Sequence, residues 1–197
     1  MFGRHHLRVL SQSLNATLVG VVDANPERAA MAAAEHNCLT FATLGELEGN
    51  VDAAVVAVPT SLHSEVGCEL LKSGIDLLVE KPIAADLVSA QRLVDTAAKH
   101  QRILQIGHLE RFNPAVAALK KITTVPLFFE IHRLSLFSPR SLDVDVVLDL
   151  MIHDLDIVLD LAAAMPEEIR AAGISILSEK WISRTCAWHS PGAASRI

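Results

Sequence analysis

The side chains best suited to moving protons lie in the segment Val144–Leu161, VDVVLDLMIHDLDIVLDL. Asp145, Asp149, His153, Asp156 and Asp160 are separated by 4, 4, 3 and 4 positions. On a helix turning about 100° per residue, all five fall within an arc of roughly 80°. An imidazole exchanges a proton near neutral pH, and a carboxylate one turn earlier can orient it. His153 therefore reads as a general acid or base positioned by Asp149. Most of the remaining circumference is Val, Leu, Ile and Met, apart from Asp154. Such a helix is expected to be buried on most sides, with one polar stripe facing water or a cleft. A plain solvated stripe is the alternative. Four carboxylates with no Lys or Arg among them repel one another, however, which favours a cleft that needs the charge. Metal ligation by His153 and Asp156 lacks a supporting cluster and is the weaker reading.

A second reactive group is Lys81, in Val79-Glu80-Lys81-Pro82. Pro82 disfavours helix at the residue before it, so the ammonium is carried on a stiff, extended segment. The alternative is an ordinary solvated lysine at the start of a loop, and the surrounding elements weigh against it. Thr17–Val22, Ala53–Val58, Ile75–Val79 and Ile103–Ile106 are short apolar runs that read as buried strands. Between them lie segments with helical spacing. Arg4–Leu14 carries Leu7, Leu10 and Leu14 on one face, and Pro26–His36 opens with a proline suited to a first helical turn. Leu62–Lys72 follows, then Asp86–Lys99 with Leu87, Ala90, Val94 and Ala97 on one side. Strand–helix alternation at this pitch predicts an α/β fold, a Rossmann-like doubly wound parallel sheet. The carboxyl ends of such strands are where ligands bind, and Pro59-Thr60 and Lys81 both stand at such ends.

The dinucleotide version of this fold opens with a strand, a glycine-rich turn and a helix that meets the pyrophosphate. This sequence starts Met-Phe-Gly3 and enters a helix at once. The run VVD ends at Asp23, 20 residues after Gly3, close to the interval expected for a ribose-binding acid. If Gly3 is the third glycine of the fingerprint, the first strand and two glycines precede Met1. One glycine before a helix is by itself no evidence, but the combination with VVDANPER and the later strands favours a nucleotide site. Asp23 would accept from ribose hydroxyls and repel a 2′-phosphate, which favours NAD; Arg28 leaves NADP open.

After Gly107 the pattern changes. Asn113-Pro114 opens a helix to about Lys121, Val125–Leu134 reads as a strand, the acidic helix follows, and Glu168–Leu177 reads as another strand. The expected division is a nucleotide domain over 1–107, part of a second α/β domain with an open antiparallel sheet over 108–178, and an irregular tail over 179–197. The last 17 residues hold both tryptophans and no acidic residue; they read either as a non-native end or as an ordinary terminus.

Glu80-Lys81-Pro82, Gly107-His108-x-x-Arg111-Phe112-Asn113-Pro114 and Asp149-x-x-x-His153-x-x-Asp156 together resemble the glucose–fructose oxidoreductase/inositol dehydrogenase (Gfo/Idh/MocA) family. The Arg-Phe-Asn-Pro and Asp-Leu-Met-Ile-His-Asp segments look most like members that act on nucleotide sugars. The resemblance implies that Glu80 contacts the cofactor and that Lys81 lies next to the nicotinamide and substrate, with Asp149 and His153 as the acid–base pair. Pro59, Thr60 and His63 would pass the nicotinamide half, Gln105 at the next strand end would also meet the cofactor, and Arg111 and Asn113 would contact the substrate. It implies an NAD(P)-dependent dehydrogenase of a sugar or nucleotide sugar, oligomeric in its full-length form. The short ends raise a competing expectation, an inactive remnant that serves at most as an association module.

Composition narrows the field further. With 51% hydrophobic and 20% charged residues the chain can bury a core. A net charge of −6 argues against binding a nucleic-acid backbone. No apolar run reaches the roughly 18–20 residues of a membrane span, and the first residues lack the apolar core of a secretory signal. Three scattered cysteines suit a reducing cytoplasm.

Overall fold

A computed structural model describes residues 2–123, 126, 128–133, 146–174 and 183–189. The chain forms two compact units, Met1–Gly107 and His108–Ile197.

The first unit alternates helices and strands: α1 Phe2–Ser11, β1 Gly20–Val21, α2 Pro26–His36, β2 Leu39–Thr40, β3 Ala53–Val56, α3 His63–Lys72, β4 Asp76–Val79, α4 Leu87–His100 and β5 Leu104–Ile106. β1 pairs in parallel with β2, and β3-β4-β5 form a second parallel sheet. This is the Rossmann-like arrangement expected from the alternation. Local chemistry sets the helix ends. Asn25 caps α2 through Arg28 N–H with Pro26 next to it, and Asp86 caps α4 through the Ser89 N–H and hydroxyl. Asn37 and Gln101 close the same two helices in the left-handed conformation.

The core lies between the β3-β4-β5 sheet and α3–α4, around Val56, Leu71, Ile75, Leu77, Val79 and Leu93. A fully buried side chain of this size stabilises by about 1.5–3 kcal/mol. α3 and α4 approach so closely that a Cβ on Gly67 would stand 2.6 Å from Leu93 Cδ2. Alongside this contact the Ser64 hydroxyl donates to Ser89 O, and Cys68 Sγ lies 3.4 Å from Thr96 Oγ1.

Several boundaries differ from the sequence reading. α1 ends at Ser11, so Leu14 is fully exposed instead of completing an apolar face. The buried stripe of α4 is centred on Leu93 and Ala97, while Leu87 and Val94 are exposed. The strand expected over Thr17–Val22 pairs only at Gly20–Val21, against the short strand β2.

The second unit contains α5 Pro114–Ile122, capped by Asn113, then a π turn Val147–Met151 running into α6 Ile152–Ala162. β6 Glu168–Ile174 and β7 Ser183–His189 pair antiparallel. The tail read as irregular therefore supplies a strand, through the β-favouring run Thr185-Cys186-Ala187-Trp188. Conversely, Pro126 and Phe128–Arg133 are not in a strand. Pro126 cannot donate to a ladder, and Arg133 is held by Asp154; Val125 and Leu134 lie outside the described residues.

Candidate functional site

Parallel pairing fixes what stands side by side along the carboxyl edge of the larger sheet. Val56 is in register with Val79, and Val79 with Ile106. Pro59-Thr60, Glu80-Lys81-Pro82 and Ile106-Gly107 therefore leave neighbouring strands in the same direction. Gln105 lies within β5, exposed, and donates from Nε2 to Ile106 O. Gly107 leaves room for its neighbour: a Cβ there would stand 3.2 Å from Glu80 Oε2 and 3.5 Å from Glu80 Cα.

Glu80 is 8% exposed, and both of its oxygens are engaged within the unit. His6 Nε2 lies 2.5 Å from Oε1, and Lys81 N–H donates to Oε2 at 3.3 Å. The hydrogen bond from His6 holds the Glu80 carboxyl below the usual glutamate range; burial opposes this, while the charges of His6 and Lys81 and the Lys81 N–H reinforce it. Glu80, read from the sequence as a cofactor contact, thus ties α1 to the segment carrying Lys81. No sequence signal pointed to His6, its partner 74 residues away. The Lys81–Pro82 peptide is cis.

His63, also expected at the cofactor, is buried at 1% exposure with both ring nitrogens against backbone carbonyls. Its ring is turned inward, toward the chain segments that follow β3 and β4. Thr60 is buried and opens the short turn before α3.

At the carboxyl end of the smaller sheet, Asp23 follows β1. Its Oδ1 accepts from Asn25 N–H at 2.8 Å and from Arg28 Nη2 at 2.9 Å. The two residues read as alternative determinants of NAD and NADP are thus joined in one ion pair. Gly3 lies in the first turn of α1, and no described atom lies within 4 Å of where its Cβ would be. The close packing that would demand glycine there is absent among the described residues.

In the second unit two carboxylates of the acidic stripe, Asp156 and Asp160, are paired with bases, as is Asp154 beside it. Arg111 donates to both oxygens of Asp156, from Nε and Nη2, each at 2.7 Å. Lys120 Nζ lies 2.5 Å from Asp160 Oδ2, and Arg133 grips Asp154 through Nε and Nη2. The expected uncompensated cluster is therefore corrected: its bases come from α5 and from segments distant in sequence. Burial alone would raise the Asp156 carboxyl. The hydrogen bonds from Arg111, with the charges of His108, Arg111 and His153, outweigh that and hold it below the usual range. The same bond pushes the Arg111 guanidinium further up, against its desolvation.

Arg111, expected at the substrate, thus spends its fork on Asp156. Asn113, expected there too, accepts from Ala115 N–H as the cap of α5 and donates to Glu110. The helix is also not a continuous α-helix. The π turn over Val147–Met151 contains Asp149, so its spacing to His153 is not the single α-helical turn read from the sequence. Its residues are half-buried throughout, with none fully buried. Asp145 lies outside the described residues. His108, unassigned by sequence, has a buried Nδ1 that makes no hydrogen bond among the described residues and lies 3.9 Å from Asp156 Oδ1.

Residues 1–108 match the oxidoreductase family with an NAD-binding Rossmann fold. The chain is 38% identical over 202 aligned positions to a UDP-N-acetylglucosamine 3-dehydrogenase of Acidithiobacillus ferrooxidans, covering 99% of this chain and 64% of that enzyme. A myo-inositol dehydrogenase of Streptomyces leeuwenhoekii is 32% identical over 183 positions, covering 87% and 55%. A solved structure of the Acidithiobacillus enzyme superposes with a TM-score of 0.91 at 37% identity, over 98% of this chain and 63% of that one. The chain thus spans somewhat under two thirds of the length of these relatives. With a parallel nucleotide-type sheet, the Glu-Lys-Pro edge and these matches, the chain belongs to the Gfo/Idh/MocA family of NAD-binding oxidoreductases.

Proposed function

We propose that the chain carries the hydride-transfer chemistry of a nicotinamide-dependent sugar or nucleotide-sugar dehydrogenase. The observation that carries this reading is the parallel register of β3, β4 and β5, from whose common carboxyl edge the Pro59-Thr60 and Glu80-Lys81 segments leave. That is the edge at which open α/β sheets take ligands.

The donor set fits NAD. Asp23, at the end of the β1 segment, supplies an acceptor for a ribose diol, and a 2′-phosphate there would meet its negative charge. Pro59 and Thr60 lie along the edge beside Lys81, Gln105 lies within β5, and Gly3 lies in the opening turn of α1. A bound nicotinamide ring would accept or return the hydride. Lys81 presents an ammonium that polarises the reacting oxygen, and its placement follows from Glu80 and the strand end before it. His153 takes the hydroxyl proton as hydride leaves carbon, with Asp149 supporting its charge and orientation. The substrate class draws its support from the relatives, which act on UDP-N-acetylglucosamine and on inositol by name.

Calorimetric titration with NAD tests the cofactor half: saturable binding, weakened at least tenfold by Asp23→Ala, supports it. Turnover of UDP-N-acetylglucosamine tests the rest. Lys81→Ala and His153→Ala should each remove about 10²–10⁴ of the rate, the span of a positioned proton donor or acceptor, while NAD binding survives. No saturable binding, or near-normal turnover in either variant, overturns the assignment.

A further inference from the structure

His63 begins α3, and its ring nitrogens face two backbone carbonyls. Nδ1 lies 2.9 Å from Pro82 O and Nε2 3.0 Å from Val58 O. Val58 and Pro82 stand past the ends of β3 and β4, where the ladder offers no N–H to their carbonyls. A carbonyl oxygen only accepts. A neutral imidazole carries one N–H and one lone pair. In either neutral tautomer a lone pair would therefore face an oxygen at hydrogen-bond distance, in a buried place where that repulsion is poorly screened. Only the imidazolium donates to both. Charge-assisted bonds are about twice as strong as neutral ones, and two of them act against the desolvation of the cation.

We propose that His63 is a positioning residue: held as an imidazolium, it latches the Val58 and Pro82 carbonyls together and so fixes Lys81 relative to Pro59 and Thr60. The consequence for catalysis rests on the function proposed above for Lys81; the latch itself does not. His63 acts through these two segments and touches neither cofactor nor substrate.

The ring nitrogens of His63 can be observed directly by nitrogen-15 NMR of the full chain at neutral pH, assigned by loss of the signals in His63→Gln. Two protonated ring nitrogens, both with slowly exchanging protons, are expected. One protonated nitrogen beside one bearing a lone pair overturns the proposal.

His63→Leu keeps the apolar bulk and removes both bonds. Amide exchange should then rise about tenfold or more at Leu62 and Lys81, the effect of losing a buried hydrogen bond. Leu62 N–H bonds Pro59 O, and Lys81 N–H bonds Glu80. Cys38 N–H, bonded to Ala33 O, serves as the control and should not change. A uniform rise at all three amides marks a merely structural role, and no rise at Lys81 removes the latch. His63→Met, which likewise removes both bonds but fills the site with a flexible chain, provides the same comparison if the leucine variant does not fold. If both results hold while the chain takes up no dinucleotide, the latch stands and the proposed function falls.

Discussion

Replacing Glu80 by Gln keeps the shape of the side chain and removes its charge. His6 and Glu80 side chains are 19% and 10% exposed, so solvent screens the pair little. The carboxylate accepts from His6 at 2.5 Å and from Lys81 N–H at 3.3 Å, with Gly107 packed against it. Hydrogen bonds to a charged group contribute about 1.5–3 kcal/mol, against about 0.5–1.5 for neutral ones. The amide can still meet one partner well, so the expected loss is about 1–2 kcal/mol at neutral pH. For a chain of this length that lowers the melting temperature by about 2–8 °C.

The pH dependence carries the stricter test. The folded Glu80 value lies below the ordinary one, so its contribution is complete above the unfolded value of about 4.3 and is lost as pH falls below it. The gap between wild type and variant should close over that acid range. Both tryptophans lie in the second unit, so the measurement should be far-UV circular dichroism with amide exchange at Glu80 and Gly107. Superimposable melting at pH 7, or a gap that persists unchanged into acid, would refute the reasoning.

Gly67→Ala pits a helix-propensity gain of about 1 kcal/mol against a 2.6 Å contact with the fully buried Leu93. Overpacking costs about 1–3 kcal/mol, so urea unfolding should show a net loss; a more stable variant would show that Leu93 yields. Arg111→Gln leaves Asp156 with its burial but without its bidentate partner, and the carboxyl should titrate higher by carbon-13 NMR. An unchanged titration would mean that His108 and His153 suffice. Asn113→Ala should cost about 0.5–2 kcal/mol of stability through its cap, and a larger loss of turnover than of stability would restore the substrate contact read from sequence.

Local signals were legible because they act locally. The apolar runs of β3, β4 and β5, the prolines opening α2 and α5, and the Glu-Lys-Pro strand end each announce themselves within a few residues. β2 did not, since Leu39-Thr40 is two exposed residues whose ladder partner is the equally short β1. The face of α4 was misjudged because Leu87 and Val94 look as apolar as Leu93, and only α3 decides which one packs. The stripe reads as uncompensated in sequence because Arg111 and Lys120 lie 45 and 40 residues from Asp156 and Asp160. The π turn likewise has no local marker, yet it sets where Asp149 points relative to His153.

The Asp23–Arg28 pair has an ionic-strength consequence. It is a largely exposed contact, with Arg28 67% exposed, and dissolved salt screens such contacts readily. A ribose diol must take the carboxylate from the guanidinium, so added salt would ease its entry. A phosphorylated ribose would instead recruit the guanidinium, and added salt would hinder it. The preference between the two dinucleotides should therefore swing toward the unphosphorylated one as potassium chloride rises.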